Sequence, residues 1–475
     1  MLRISIALAG LLLAAPAMAQ DDSRDYTGQY QRQALEIYRH VIGLRTAAGH
    51  GKVPEMASYL ADQFLAAGFS EDEVHVIPQT VSSGEKTASL VVQYRGNGLS
   101  GKKPVLFLAH MDVVDAIPSD WERDPFTLIE EDGFFFGRGT MDNKMGVTTL
   151  TTTFLRLKRE GFTPTRDLVL AFTGDEETGM ETARALAREH RDLVDAEFVL
   201  NADAGNGFLD QDNNPVAYLL QAAEKTYATF ELTIRNPGGH SSQPRVDNAI
   251  YELATVLKNI EAYRFPARLN DITETYFERM SRLLPDPAAT AMGRYVEDPN
   301  DEAARAVLEQ MPAQVGITRT TCVATMLKAG HAENALPQSA TATVNCRIFP
   351  SETPEDVRQT LFEIAANPQL EIEILDDPIA SPVSPIREEV TSLVTDATRA
   401  QYGDVPIIPY MAAYGTDGKE TRTAGLDTYG VSGIYMRDED MFAHGLNERM
   451  PVRSFFTALE YWHQIMTELG REATR

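Results

Sequence analysis

Three short apolar runs in the first half of the chain each end on side chains that can bind a metal or move a proton. Val105–Ala109 runs into His110-Met111-Asp112, Leu168–Thr173 into Gly174-Asp175-Glu176-Glu177-Thr178-Gly179, and Phe198–Leu200 into Asn201-Ala202-Asp203. Short runs that are apolar on both faces read as buried strands of a parallel sheet. Helical spacing lies between them. One helix opens near Asp142-Asn143-Lys144 and runs through Leu157, and another runs to His190. Strand–helix–strand alternation predicts an α/β fold, a mostly parallel sheet with helices on both faces. Ligands of such sheets bind beyond the carboxyl ends of the strands, where these side chains would collect.

The flanking segments fit that frame. Residues 27–69 have helical apolar spacing, from Ala34 and Ile37 through Phe64 and Leu65. Val74–Val81 and Ala88–Tyr94 read as strands, and Phe126–Ile129 with Gly133–Phe136 as a hairpin about Glu130–Asp132. The pattern changes near residue 226. Tyr227–Arg235 is a strand, 237–242 a loop, Val246–Tyr263 a helix, Thr320–Lys328 and Ala340–Phe349 strands, Pro354–Ala366 a helix and Leu370–Leu375 a strand. That β-α-β-β-α-β order predicts an α+β sandwich inserted into the first domain. A polar, helix-prone stretch at 265–312 exceeds what the sandwich needs. The expected division is a leader at 1–19, a catalytic domain at 20–225 and 385–475, and a lid or dimerisation domain at 226–384.

The leader reading rests on Arg3, the apolar stretch Ile4–Ala15 and the small-residue site Ala17-Met18-Ala19 before Gln20. This is the pattern of a secretory signal peptide, too short for a membrane span. The expectation is an exported, periplasmic protein. Removing residues 1–19 takes away only Arg3, so Lys+Arg falls from 43 to 42 against 69 Asp+Glu, and the net charge moves from −26 to −27. So acidic a chain argues against nucleic acid or anionic lipid as a partner. Cys322 and Cys346 lie on the two strands that could pair as a hairpin. A disulfide and a pair of buried thiols are both open to them.

His110, Asp142, Glu176, Glu177, Asp203 and His444 offer imidazole nitrogen and carboxylate oxygen, a donor set suited to zinc. Two metals sharing one bridge need about five protein ligands. His110, Asp142, Glu177, Asp203 and His444 meet that count and leave Glu176 free. Adjacent residues leaving a strand diverge, so Glu177 can bind metal while Glu176 faces a metal-activated water and shuttles its proton to a leaving amine. Asp112, two residues from His110 on an extended chain, can orient the ring. Taken singly, each motif has a commonplace explanation as a surface pair or a solvated acid. Their joint placement at successive strand ends does not.

Together, His110-Met111-Asp112-Val113-Val114, Gly137-Arg138-Gly139 with Asp142-Asn143-Lys144, Glu176-Glu177-Thr178-Gly179, Asn201-Ala202-Asp203 and His444-Gly445-Leu446-Asn447-Glu448 resemble the two-zinc exopeptidase family. That family contains carboxypeptidase S, aminoacylase, succinyl-diaminopimelate desuccinylase and glutamate carboxypeptidases. Asp124-Pro125-Phe126 looks closest to the carboxypeptidase S branch. Where the family usually has Asp-Met-Lys this chain has Asp142-Asn143-Lys144, and the bridging carboxylate is intact.

The resemblance implies that Asp142 bridges two zinc ions per chain, with His110 and Asp203 completing one site and Glu177 and His444 the other. It implies Glu176 as general acid/base and Asp112 as the partner of His110. His240, in Gly238-Gly239-His240-Ser241-Ser242, would polarise the scissile carbonyl, often across a homodimer interface. Asn334, Arg347, Gly415 and Thr416 would hold substrate, a guanidinium being the natural fork for a carboxylate. The implied function is amide hydrolysis beside a free carboxylate, of carboxypeptidase or dipeptidase type. An N-acyl-amino-acid hydrolase is the alternative with the same site. A silent periplasmic binding protein is the alternative from another class, and the full set of ligands with Glu176 weighs against it.

Overall fold

The computed structural model describes residues 27–471. The leader expected at 1–19 lies outside the described residues. The larger sheet has 10 strands, and at its centre Leu168–Thr173, Val105–His110, Phe198–Asn201 and Thr428–Gly430 run parallel. Val74–Thr80 and Lys86–Tyr94 add antiparallel strands at one end. Every residue of Val105–His110 and of Leu168–Thr173 is buried, as expected of strands covered on both faces. Their side chains alternate between two cores. Val105, Phe107 and Ala109 join the cluster containing Phe154 and Trp462, while Leu106 and Leu108 pack with Leu186, Val194 and Leu426.

The second sheet is antiparallel, in the order Thr321–Ala329, Ser339–Ile348, Thr226–Arg235, Glu371–Leu375. Helices Ala249–Ala262 and Pro354–Ala365 share its core through Leu253, Val256, Val357 and Leu361. The expected hairpin strands pair with Cys322 opposite Cys346, and the two are disulfide-bonded. The chain first crosses from the large sheet to the small one through a single residue. Pro215–Glu224 belongs to the large sheet and Thr226–Arg235 to the small one. The buried Lys225 Nζ between them donates to Gly316 O (2.7 Å) and Arg319 O (2.6 Å).

Three segments differ from expectation. Residues 27–69 form two helices, Gln29–Gly43 and Val53–Ala66, because Gly49 and Gly51 take left-handed φ values of 84° and 60° between them. The hairpin turns at Asp132 and Gly133 (φ 50° and 79°), joining Ile129–Glu131 to Phe134–Phe136. Two adjacent left-handed residues suit a tight two-residue turn. The stretch at 265–312, assigned to the inserted domain on sequence, contributes Ile272, Tyr276, Phe277, Met292, Tyr295 and Leu308 to the large core beside Ile408 and Met411. Its helix Asp271–Met280 packs on the strand Ile407–Ala412. Among the described residues no helix is long and apolar enough to cross a membrane.

Candidate metal centre and active site

The sheet delivers the side chains as its strand ends predict. His110 is the last residue of its strand and opposes Thr173 in the neighbouring one. Asp175, Glu176 and Glu177 leave that neighbour, and Asp203 follows Phe198–Asn201. Asp142 lies in the turn before helix Lys144–Arg159, and its peptide bond to Asn143 is cis. His444 arrives from the far end of the chain, on a loop where its own φ is 62°. Left-handed backbone at a non-glycine residue costs about 1–3 kcal/mol and is tolerated where the surroundings impose it.

His110 Nε2 lies 3.0 Å from Asp142 Oδ1 and 3.2 Å from Asp203 Oδ1. On the other side His444 Nε2 lies 3.1 Å from Asp142 Oδ2 and 3.0 Å from Glu177 Oε2. Asp142 thus turns one oxygen to each histidine, as a bridging carboxylate must. Ligands about 2.0–2.1 Å from a tetrahedral zinc lie about 3.3 Å from one another, so each trio already has the spacing of a ligand set. Both trios, His110 with Asp142 and Asp203 and Asp142 with Glu177 and His444, place their ligand atoms within 4.8 Å of one another. Those of His110, Glu176 and Glu177 also lie within 4.8 Å, so Glu176 opens onto the same space.

His110 Nδ1 lies 3.0 Å from the carbonyl oxygen of Asp112. A carbonyl only accepts, so Nδ1 carries the proton and Nε2 keeps its lone pair for a metal. The Asp112 carboxylate is farther from the ring, at 3.4 Å. It accepts instead from the backbone N–H groups of Glu176 (3.1 Å) and Glu177 (3.0 Å). Asp112 therefore orients His110 through its main chain and the two glutamates through its side chain.

The electrostatics follow from burial among acids. Burial pushes the Glu176 carboxyl well above its usual range, with Asp203, Asp417 and Glu177 reinforcing and His110 opposing. For His110, burial opposes the charged ring, but Asp203 and hydrogen bonds to Asp112, Asp142 and Asp203 outweigh it and raise the pKa. His444 is raised to about 10, chiefly by its contacts with Asp142 and Glu177.

This cluster lies on the wall of a cavity of about 890 Å³. Its lining includes the apolar Met141, Ile434, Met436, Met441 and Ala443. Arg347 also lines it, its guanidinium carbon 4.7 Å from the Tyr227 ring centroid. Burial lowers the Arg347 pKa, and among the described residues no carboxylate forms an ion pair with it. Gly415 lines the cavity, and a Cβ there would meet nothing within 4 Å.

Three of the expected site residues are placed elsewhere. Thr416 is buried behind the cavity, its N–H and Oγ1 donating to Glu224 Oε2 at 3.0 and 2.9 Å, so it fixes the loop rather than meeting substrate. His240 and Asn334 are exposed and form no part of the cavity wall. They are neighbours of each other, Ser241 N donating to Asn334 O at 3.0 Å, and the His240 ring meets Ser242 Oγ at 2.8 Å.

Other functional positions escaped the sequence reading. Tyr414 lines the cavity with its hydroxyl 2.6 Å from that of Tyr410. Its neighbour Gly415 was the available signal. Glu448 was quoted as part of a motif without a role, and its carboxylate proves to be wholly buried.

Residues 106–468 match the sequence profile described as peptidase family M20/M25/M40. The chain is 29% identical over 371 residues to the N-fatty-acyl-amino acid synthase/hydrolase PM20D1 of Xenopus tropicalis, spanning 76% of this chain and 72% of that one. It is 26% identical over 390 residues to the probable carboxypeptidase S-like 2 of Dictyostelium discoideum, spanning 80% and 74%. The M20 family metallo-carboxypeptidase Sso-CP2 of Sulfolobus solfataricus shares the fold at TM-score 0.68 and 20% identity, covering 92% of this chain and 98% of that one.

Proposed function

The chain belongs to the peptidase family M20/M25/M40, and from that premise we propose an exported two-zinc hydrolase that splits an amide between an apolar acyl group and an amino acid with a free carboxylate. The observation that carries this reading is the cavity. Two ligand sets sharing Asp142 line the same cavity as several apolar side chains, methionines among them, and an arginine that has no acidic partner among the described residues.

His110, Asp142 and Asp203 would hold one zinc and Asp142, Glu177 and His444 the other, and the imidazole and carboxylate donors fit that ion. Bound there, the ions supply Lewis-acid activation of water and of the substrate carbonyl. The protein's own groups do the rest. Glu176 takes a proton from the attacking water and returns it to the leaving nitrogen as the C–N bond breaks. Arg347 receives the carboxylate of the leaving amino acid. Met141, Ile434, Met436 and Met441 bury the acyl side, methionine adapting to chains of varied shape.

The names of the relatives offer both N-fatty-acyl amino acids and carboxypeptidase S substrates. The sequence favoured the peptidase, and the apolar lining moves the preference to the N-acyl amino acid. A peptide with an apolar residue before its last amide is the second reading, favoured by the same lining. The test is kcat/KM across N-acyl amino acids of lengthening acyl chain and matched dipeptides. A rise with chain length is expected, and turnover confined to dipeptides with a free amine would overturn the acyl reading.

The active form proposed is a homodimer in which His240 and Asn334 of one copy reach the cavity of the other. What supports this is their exposure away from their own cavity and an apolar, solvent-facing surface on the small domain. Tyr251 there is 72% exposed, and along the outer strand Thr321–Ala329 so are Val323 at 59%, Met326 at 69% and Leu327 at 66%. Export is supported by the leader pattern at 1–19 and by the Cys322–Cys346 disulfide, which suits an oxidising compartment.

A further inference from the structure

We infer that Arg138 and Glu448 are positioning residues that set the metal site made by Asp142, Glu177 and His444. The two side chains form an ion pair at 2.7 Å, with side-chain exposures of 3% and 0%. Glu448 does more than neutralise the arginine. Its Oε2 also accepts from Gly139 N (3.1 Å), and its Oε1 accepts from Met141 N (2.7 Å) and Asp142 N (3.1 Å). One carboxylate thereby gathers the turn that presents the bridging ligand.

Arg138 reaches the opposite way. Its Nη2 donates to His444 O (3.2 Å) and Gly445 O (3.3 Å), the backbone where His444 holds its left-handed conformation. The Trp121 ring covers the guanidinium at 5.2 Å, and Gly137 N donates to Glu448 O at 3.1 Å. The pair thus ties the loop carrying Asp142 to the loop carrying His444, which are about three hundred residues apart in sequence. A buried ion pair is poor evidence of net stabilisation. One whose further hydrogen bonds fall on the backbone of two ligand loops is placed to fix ligand geometry. His110, the last residue of its strand, and Asp203, two residues past the end of Phe198–Asn201, do not depend on it.

The inference rests on the metal reading above. The test is zinc stoichiometry and affinity by titration against a chromophoric chelator, with folding followed by circular dichroism, for the parent, Glu448→Gln and Arg138→Lys. Arg166→Met serves as control, since Arg166 is as fully buried and pairs with Glu197 at 2.5 Å away from the ligand loops. The expected result is a folded Glu448→Gln that binds zinc about 10–100-fold more weakly at the site of Asp142, Glu177 and His444, with a smaller loss at the site that shares only Asp142 with it. Arg138→Lys should show a smaller change of the same kind, and Arg166→Met should hold both ions. Folded Glu448→Gln with two zinc ions of parental affinity would overturn the inference. Should Glu448→Gln not fold, parental affinities in Arg138→Lys would overturn it equally. A parent that takes up no zinc would instead remove the metal reading.

Discussion

Replacing Arg347 by methionine should abolish the preference for a free carboxylate while leaving the chemistry intact. The guanidinium stands over the Tyr227 ring at 4.7 Å, on the cavity wall and without an acidic partner among the described residues. A carboxylate about 4 Å from it, at the effective dielectric of a partly buried site, gains about 4 kcal/mol. Desolvation takes part of that back, and truncating one member of such pairs costs about 2–5 kcal/mol. A net value of about 3 kcal/mol is roughly a hundredfold in kcat/KM. The assay compares an N-acyl amino acid with its methyl ester. The parent should prefer the acid by about a hundredfold, and Arg347→Met should lose about that factor on the acid and almost nothing on the ester. Equal losses on both substrates would mean that Arg347 supports the fold of the cavity and does not bind the carboxylate.

Other expectations are as specific. Glu176→Gln should keep its zinc and lose about 10²–10⁴ in kcat, and near-parental turnover would remove Glu176 from proton transfer. His240→Ala and Glu176→Gln, each inactive alone, should regain activity when mixed under exchange of subunits. Failure to regain it, with heterodimers demonstrated, would contradict a shared site. Tyr295 donates to Arg268 O (3.1 Å) and Thr318 O (2.9 Å), and burial pushes its pKa to about 12. A raised folded pKa contributes stability that is whole below the unfolded value of about 10 and is lost as pH climbs through 12, about 2–3 kcal/mol in all. Denaturant midpoints at pH 9 and 11.5 should therefore fall less for Tyr295→Phe than for the parent, and parallel falls would refute the assignment.

The strand ends were legible because both periodicity and chemistry mark them. Leu106–Ala109 can hardly be anything but a buried strand, and a histidine at its end faces the site by topology alone. The inserted sandwich was legible from its element order, down to the pairing of the strands that carry Cys322 and Cys346. What sequence could not give was long-range. The helices of 271–318 look like a polar appendage until their apolar faces, Ile272, Tyr276 and Phe277 among them, are seen against Ile408 and Met411. Thr416 shares a tripeptide with Gly415, yet only the fold shows that one lines the cavity and the other turns inward to Glu224. Glu448 sat unassigned four residues past His444, because its partners at 138–142 are distant in sequence.

Whether the protein is a two-zinc amide hydrolase is decided by metal analysis of the purified protein coupled to hydrolysis of a long-chain N-acyl amino acid before and after chelation. Two zinc ions per chain are expected, with turnover lost when they are stripped and recovered when zinc is restored. A folded protein that binds no zinc, or one whose turnover survives complete removal of metal, would contradict it.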